Sequence, residues 1–216
     1  MKSRLKAIIF DCDGVLVDSE ILSASVWSEM LQERGVQISP NEINEALQGG
    51  NIYTSIDYLE QFVKVSNRMA VETEYRKRSA IKFANELQPV KDIESLLKDI
   101  NLPRCVASNG PLSKIKMNLK NTDLGKYFDA DLLFSGYDYG FKPKPDLFLH
   151  ACQAIGFLPN ECLVIEDSLV GIQAAKAANI PSIYFNHQVE TVDKENKIYG
   201  NMKDVRTYIL SQINSM

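Results

Sequence analysis

The segment FDCDGVLVDS, residues 10–19, follows an apolar run and places two aspartates one residue apart. The apolar run at residues 5–10 is typical of a strand that is buried in a parallel sheet. Asp11 and Asp13 then lie at the end of this strand, where two like charges repel each other unless a cation or a shared proton compensates. The segment therefore indicates a buried strand that leads into a charged functional site.

The rest of the chain repeats the pattern of a short apolar segment followed by a helical one. Further strands are predicted at residues 104–107, 131–134, 162–165 and 182–185. After the fourth strand, Ser168 is a candidate cap for an Ala-rich helix that stops before Pro181. Such alternation of strands and helices favours an open α/β fold with a parallel sheet.

The interval between the first and second predicted strands is much longer than a simple crossover requires. Helical patterns fill it, and we expect four helices at about residues 20–34, 40–47, 53–63 and 67–86, with uncertain ends. We therefore predict two domains. Residues 1–15 plus 89–216 form the α/β core, and residues 16–88 form an inserted helical cap.

The composition limits the classes of partner. A net charge of -4 and a pI near 5.3, with scattered basic residues, argue against a nucleic-acid-binding protein. Apolar runs are too short for a membrane span, so no membrane partner is expected. The four cysteines lack close pairing, which favours reduced thiols in a cytoplasmic protein. We expect a monomer, with a dimer as the alternative.

Other polar residues follow the predicted strands. Ser108 and Asn109 come after the second strand, Glu166 and Asp167 come after the fourth, and Lys142 lies in FKPKPD. Each residue alone is compatible with a turn, a loop or a solvated charge. Ligands of open parallel sheets, however, bind beyond the carboxyl ends of the strands, where these residues would meet.

Taken together, these residues favour a metal site that binds a phosphoryl group. Asp11, Asp13 and Asp167 supply the hard oxygen ligands that suit Mg²⁺. A nearby lysine and short polar donors would neutralise and position phosphoryl oxygens. We therefore expect a small phosphorylated metabolite as the partner and Mg²⁺ as the cofactor.

Four segments, DCDGVLVDS, SNG, KPKPD and VIEDS, resemble in order the four motifs of the haloacid dehalogenase superfamily of phosphotransferases. The resemblance covers essentially the whole chain, and the helical insertion is similar to the C1 cap of that family. It implies a Rossmann-like parallel-sheet core with an inserted four-helix C1 cap.

The resemblance also implies catalytic roles. Asp11 would be the nucleophile that forms an aspartyl phosphate, and Asp13 the general acid and then the general base. Ser108 and Lys142 would hold the transferring phosphoryl oxygens, and Asn109 would assist near the leaving group.

The metal ligands implied by the resemblance are drawn from two of the four motifs, DCDGVLVDS and VIEDS. They are a carboxylate oxygen of Asp11, the backbone carbonyl of Asp13 and the side chain of Asp167. Glu166 is a further candidate.

Within the family, the second acid, Asp13, argues against dehalogenation, which needs no protonated leaving group. We predict a phosphatase for a small sugar phosphate or sugar-acid phosphate. SNGP, LFSGYD and FANEL also resemble the branch that contains bacterial 6-phosphogluconate phosphatase. DGV occurs in β-phosphoglucomutases as well, so a mutase remains an alternative, and a non-catalytic phosphometabolite-binding regulator is another.

The predicted cap loop bears on substrate choice. Residues 47–59 contain no Lys or Arg, so a second phosphate would find no obvious partner there, which favours water as the final acceptor. Gln48, Asn51 and Tyr53 can hydrogen-bond to hydroxyl groups. We expect these residues and Gly49 to bind substrate, although the two glycines at 49 and 50 are equally compatible with a helix end.

Overall fold

The computed structural model of the chain describes residues 5–47, 49–187 and 197–214. The chain divides into two compact units. One consists of Met1–Val17 together with Pro89–Met216, and the other of Asp18–Gln88. All described strands belong to the first unit, and the second unit is helical.

The sheet has six parallel strands among the described residues. In chain order they are β1 (Ala7–Phe10), β2 (Arg104–Ser108), β3 (Leu133–Ser135), β4 (Cys162–Glu166), β5 (Ser182–Phe185) and β6 (Ile198–Tyr199). Their spatial order is β3-β2-β1-β4-β5-β6, with β1 and β4 in the middle. The predicted α/β parallel sheet is confirmed. Strand β6 was not predicted, because its two residues are too few to produce a recognisable apolar run.

The described residues also form ten α-helices. They are α1 (Glu20–Gln32), α2 (Pro40–Leu47), α3 (Ile52–Leu59), α4 (Arg68–Glu86), α5 (Ile93–Asp99), α6 (Leu112–Asn121), α7 (Gly136–Tyr139), α8 (Asp146–Ile155), α9 (Leu169–Ala177) and α10 (Met202–Asn214). None of these helices combines the length and the apolar character needed to cross a membrane.

The helical unit contains α1 to α4 and has its own apolar core. Trp27 of α1 is buried and stacks on Tyr75 of α4, with ring centroids 3.9 Å apart. Leu16 and Val17, which the sequence analysis placed in the cap, lie in the sheet unit. The reason is backbone pairing, because Val17 bridges to Pro89 and the Val90 N–H donates to the Leu16 carbonyl.

The register of the central strands decides where the polar residues meet. Phe10 pairs with Ile165 of β4 and with Val106 of β2. The next N–H, that of Asp11, donates to the Ile165 carbonyl at 3.0 Å. Asp11 therefore lies beside Glu166 at the carboxyl edge of the sheet, as expected for a ligand site in an open parallel fold. The strand β1 is buried at every position, which explains its continuous apolar run.

Candidate active site

Three buried acids form a cluster at the carboxyl ends of β1 and β4. Carboxylate oxygens of Asp11, Glu166 and Asp167 all lie within 4.8 Å of one another. Asp11, Glu166 and Asp167 are only 6%, 1% and 5% exposed, respectively. Charged carboxylates are strongly disfavoured in such a setting unless cations or hydrogen-bond donors face them.

Lys142 supplies a cation to this cluster. Its Nζ lies 2.6 Å from Asp11 Oδ1 and also donates to Glu166 Oε1. The ammonium lies 5.0 Å from the ring centroid of Phe148, and the Lys142 N–H donates to Asn109 Oδ1 at 2.9 Å. The loop between α7 and α8 is thereby tied to the end of β2, which holds the ammonium against the nucleophile candidate.

Burial and charge shift the pKa values of this pair. Burial raises the pKa of Asp11 above its ordinary value, and the Lys142 charge opposes that shift without cancelling it. Burial lowers the pKa of Lys142, but the charges of Asp11 and Glu166 outweigh it and raise that pKa overall. Lys142 therefore remains a cation at neutral pH, where it faces the acid cluster.

Glu166 is engaged by donors on both of its carboxylate oxygens. Oε1 accepts from Lys142, and Oε2 accepts from the Ser168 N–H at 2.9 Å and from the Ser168 hydroxyl at 2.8 Å. The same hydroxyl accepts from the Gly171 N–H at 3.1 Å and caps α9, as the sequence predicted. Glu166 thus links the Lys142 ammonium to the first turn of the helix.

The close approach of Glu166 to α9 requires glycine at position 171. An added Cβ there would lie 1.9 Å from the carboxyl carbon of Glu166. We expect Gly171→Ala to lower the free energy of unfolding by about 1–3 kcal/mol, because a crowded, hydrogen-bonded carboxylate must move. Urea unfolding monitored by circular dichroism measures this change.

Gly125→Ala is the matched control for that experiment. Its added Cβ would meet nothing closer than 3.8 Å, an ordinary contact distance. We expect this control to change stability by less than about 0.5 kcal/mol. Equal effects of the two substitutions would contradict the packing of Glu166 against Gly171.

Gly14 explains how Asp167 reaches the Asp13 segment. Gly14 has a φ of +73°, and an added Cβ would lie 2.0 Å from Asp167 Oδ2. Only glycine combines this left-handed backbone with so close an approach by a carboxylate. The Asp13-Gly14 dipeptide, compatible in sequence with an ordinary turn, therefore also leaves space for an acid from the β4 loop.

The Asp13 carboxylate lies outside the three-acid cluster and is paired with residues of α6. Lys114 Nζ lies 2.8 Å from both of its oxygens, and Asn118 Nδ2 lies 3.2 Å from Oδ1. Neither Lys114 nor Asn118 was predicted from the sequence as a site residue. Their spacing of four residues on a helix directly after SNGP was the available signal, because such residues share one face.

Ser108 and Asn109 end β2 at the same edge of the sheet. Ser108 is 2% exposed, and its hydroxyl accepts from the Gly110 N–H at 3.1 Å. Asn109 was expected near the leaving group, and its observed contact is the one to the backbone of Lys142. Both residues are therefore brought to the region of Asp11 and Lys142, where their catalytic roles remain predictions.

The predicted substrate residues of the cap lie in the helical unit. Asn51 caps α3, since its Oδ1 accepts from the N–H groups of Tyr53 and Thr54. Gly49 has a φ of +71° just after α2, and the Tyr53 side chain is exposed. Gln48 lies outside the described residues. Substrate binding by these four residues stays a prediction.

Comparisons with known proteins show which family the chain resembles. The sequence profile described as haloacid dehalogenase-like hydrolase matches residues 5–179. The chain is similar to a 6-phosphogluconate phosphatase of Escherichia coli (strain K12), with 37% identity over 186 residues that cover 85% of this chain and 83% of that protein. It is also similar to a fructose-1-phosphate phosphatase of the same organism, with 30% identity, covering 85% of this chain and 97% of that one.

A solved structure shows the same likeness. A conserved haloacid dehalogenase-like protein from Agrobacterium tumefaciens strain C58 superposes with a TM-score of 0.79 and 30% identity, covering 96% of this chain and 98% of that one. The family and the enzyme class predicted from the four motifs are confirmed. Since the profile match spans the core motifs and the relatives align over most of their length, the chain belongs to the haloacid dehalogenase-like hydrolase family and is a phosphatase of that family.

Proposed function

We propose that this protein is a Mg²⁺-dependent phosphomonoester hydrolase for a small sugar phosphate or sugar-acid phosphate, working through an aspartyl phosphate. The observation that carries the proposal is the buried contact between Asp11 and Lys142 inside the three-acid cluster. The names of the relatives, a 6-phosphogluconate phosphatase and a fructose-1-phosphate phosphatase, support the substrate class.

The first chemical step uses Asp11 as the nucleophile. One of its carboxylate oxygens attacks phosphorus, and the bond between phosphorus and the leaving oxygen breaks. Asp13 gives its proton to that oxygen, so the product leaves as an alcohol. Lys142 and Ser108 hold the phosphoryl oxygens during the transfer, and the positive charge of Lys142 stabilises the charge that develops on them.

The second step returns the enzyme to its starting state. Asp13, now ionised, accepts a proton from water as the water oxygen attacks the aspartyl phosphate. The bond between phosphorus and Asp11 breaks, and inorganic phosphate leaves. Glu166 keeps the Lys142 ammonium in place throughout, through the contact described above.

The residues of the cluster fit a divalent cation. Asp11, Glu166 and Asp167 carry three formal negative charges, and the Lys142 ammonium with one divalent cation would balance them. We propose that Asp11, Asp167 and the Asp13 carbonyl hold Mg²⁺, with Glu166 as a further candidate whose oxygens already accept hydrogen bonds. When bound, the metal would neutralise phosphoryl oxygens and help to position them.

The proposal extends to the localisation, the partner and the oligomeric state of the protein. We propose a cytoplasmic enzyme whose partner is a phosphorylated metabolite and which acts as a monomer, with a dimer as the alternative. The four cysteines support a reducing compartment, because all of them are free and buried.

The test is release of inorganic phosphate from 6-phosphogluconate, fructose 1-phosphate and β-glucose 1-phosphate, with Mg²⁺ or with EDTA. We expect release from at least one ester with Mg²⁺ and a loss of at least about 100-fold with EDTA, because the acid cluster then lacks its divalent cation. Isomer formation that depends on a catalytic bisphosphate, with little net release, would favour the mutase. Saturable binding without turnover would favour a regulator.

A further inference from the structure

The carboxylate of Asp13 is held by two side chains of a single helix. Lys114 and Asn118 lie on one face of α6, more than 100 residues from Asp13 in sequence, and both contact its carboxylate. The Lys114 ammonium is at 2.8 Å from both carboxylate oxygens, and the Asn118 amide adds a third contact at 3.2 Å. Two donors at fixed positions on a rigid element define the orientation of the carboxylate, as well as its distance.

The helix that provides these donors begins at the active-site edge. It follows Ser108 by a short loop, and an added Cβ on Gly110 of that loop would lie 3.7 Å from Asp13 Oδ2. The segment that carries Ser108 therefore also carries the supports of Asp13. Ser108 and the Asp13 carboxyl are located relative to each other by one continuous stretch of backbone.

The burial of the three groups separates this arrangement from a surface ion pair. Asn118 is fully buried, and the side chains of Lys114 and Asp13 are 22% and 25% exposed. An exposed pair would add little to stability and would leave both side chains mobile. Here the buried amide keeps one carboxylate oxygen in place, which limits the orientations that the pair can adopt.

We propose that Lys114, assisted by Asn118, is a positioning residue that aims the Asp13 carboxyl at the leaving oxygen of the substrate. This inference rests on the proposed function, in which Asp13 protonates that oxygen. Proton transfer requires a carboxyl oxygen of Asp13 and the leaving oxygen to be at hydrogen-bond distance. A misplacement of about 1 Å can reduce the rate by about 100-fold. Lys114 thereby acts through Asp13, without bonding to the phosphoryl group itself.

The test compares esters whose leaving groups differ in their need for a proton. p-Nitrophenyl phosphate releases a stable phenolate, whereas 6-phosphogluconate and fructose 1-phosphate release alkoxides that must be protonated. Lys114→Met removes the ammonium and keeps most of the side-chain volume. We expect it to lower kcat/KM for the alkyl esters by about 10- to 100-fold, and for p-nitrophenyl phosphate by less than about 3-fold.

Two further variants complete the design. Lys114→Arg restores a cation and should recover most of the kcat/KM for alkyl esters. Lys116→Met, an exposed lysine on the same helix, should leave both substrates unaffected. Unfolding midpoints of all variants show whether the fold is retained, and kcat/KM is used because it reports the steps up to departure of the leaving group.

The outcomes separate this inference from the proposed function. If the wild-type enzyme hydrolyses neither of these alkyl esters nor β-glucose 1-phosphate, the proposed function itself is overturned. Wild-type hydrolysis with equal losses on alkyl and aryl esters, or with no loss on either, would overturn the positioning role alone. A larger loss on alkyl esters that Lys114→Arg reverses would support it.

Discussion

Replacement of Asp11 by asparagine is expected to reduce phosphate release by at least about 10⁴-fold, because the amide cannot form an acyl phosphate. We expect this variant to lose activity because it lacks the nucleophile, and to retain the native fold. Asp11 is 6% exposed, and burial raises its pKa in spite of Lys142. A neutral amide of the same size therefore suits this environment at least as well as the carboxylate does.

The direction of the pH effect follows from the raised pKa of Asp11. The folded protein disfavours the ionised form, so its stability falls relative to the Asp11→Asn variant as pH rises above the ordinary carboxyl value of 3.8. In EDTA at pH 7, the variant should be as stable as the wild type or more stable. This difference in stability should disappear near pH 4 and below, where Asp11 is protonated in both the folded and the unfolded wild-type protein.

Phosphate release and urea unfolding of the two proteins measure both effects. Asp18→Asn is a matched control, because Asp18 belongs to the same segment but is exposed, and it should retain activity. Release by Asp11→Asn at more than about one tenth of the wild-type rate would exclude Asp11 as the nucleophile. A variant that is less stable than the wild type at pH 7 would contradict the destabilising burial of this charge.

Replacement of Lys142 by methionine is expected to lower the free energy of unfolding by about 3–5 kcal/mol in EDTA. The substitution leaves the Asp11 and Glu166 carboxylates buried together after their shared ammonium has gone. The loss of activity should also be large, since the phosphoryl group loses its charged ligand. Urea unfolding at pH 7 and phosphate release with Mg²⁺ measure the two losses.

A second substitution separates charge from packing at this position. In Lys142→Met/Glu166→Gln, one unpaired carboxylate becomes neutral, so part of the lost stability should return while activity stays low. Lys144→Met is the matched control, because Lys144 lies in the same FKPKPD segment and is exposed. A stability loss below about 1 kcal/mol for Lys142→Met would show that the ammonium contributes little to holding the acid cluster together.

The core strands and their catalytic ends were predictable because their signals are local. A continuous apolar run predicts a buried strand, and polar residues directly after such a run must lie at its end. The predicted ends of β1, β2 and β4 located Asp11, Ser108 and Glu166 before any pairing was known. The four helices of the cap could be predicted from caps and helical spacing for the same reason.

The partners of the site residues were less predictable, because they depend on contacts between distant segments. Lys142 and Asp11 are 131 residues apart, and Lys114 and Asp13 are 101 residues apart. Lys142 was identified only through the KPKPD motif, and Lys114 resembled any solvated lysine. Asn109 illustrates the same limit, since its contact to the backbone of Lys142 depends on how a loop returns to the sheet.

By itself, the sequence determined the α/β class, the order of strands and helices, the residues at the strand ends and, through the four motifs, the family. The tertiary structure alone decided which charges face one another: Lys142 against Asp11 and Glu166, and Lys114 with Asn118 against Asp13. The physical reason is the sequence distance over which each kind of interaction acts. Periodicity and capping act over a few residues, whereas strand register and helix packing bring together side chains that no local pattern connects.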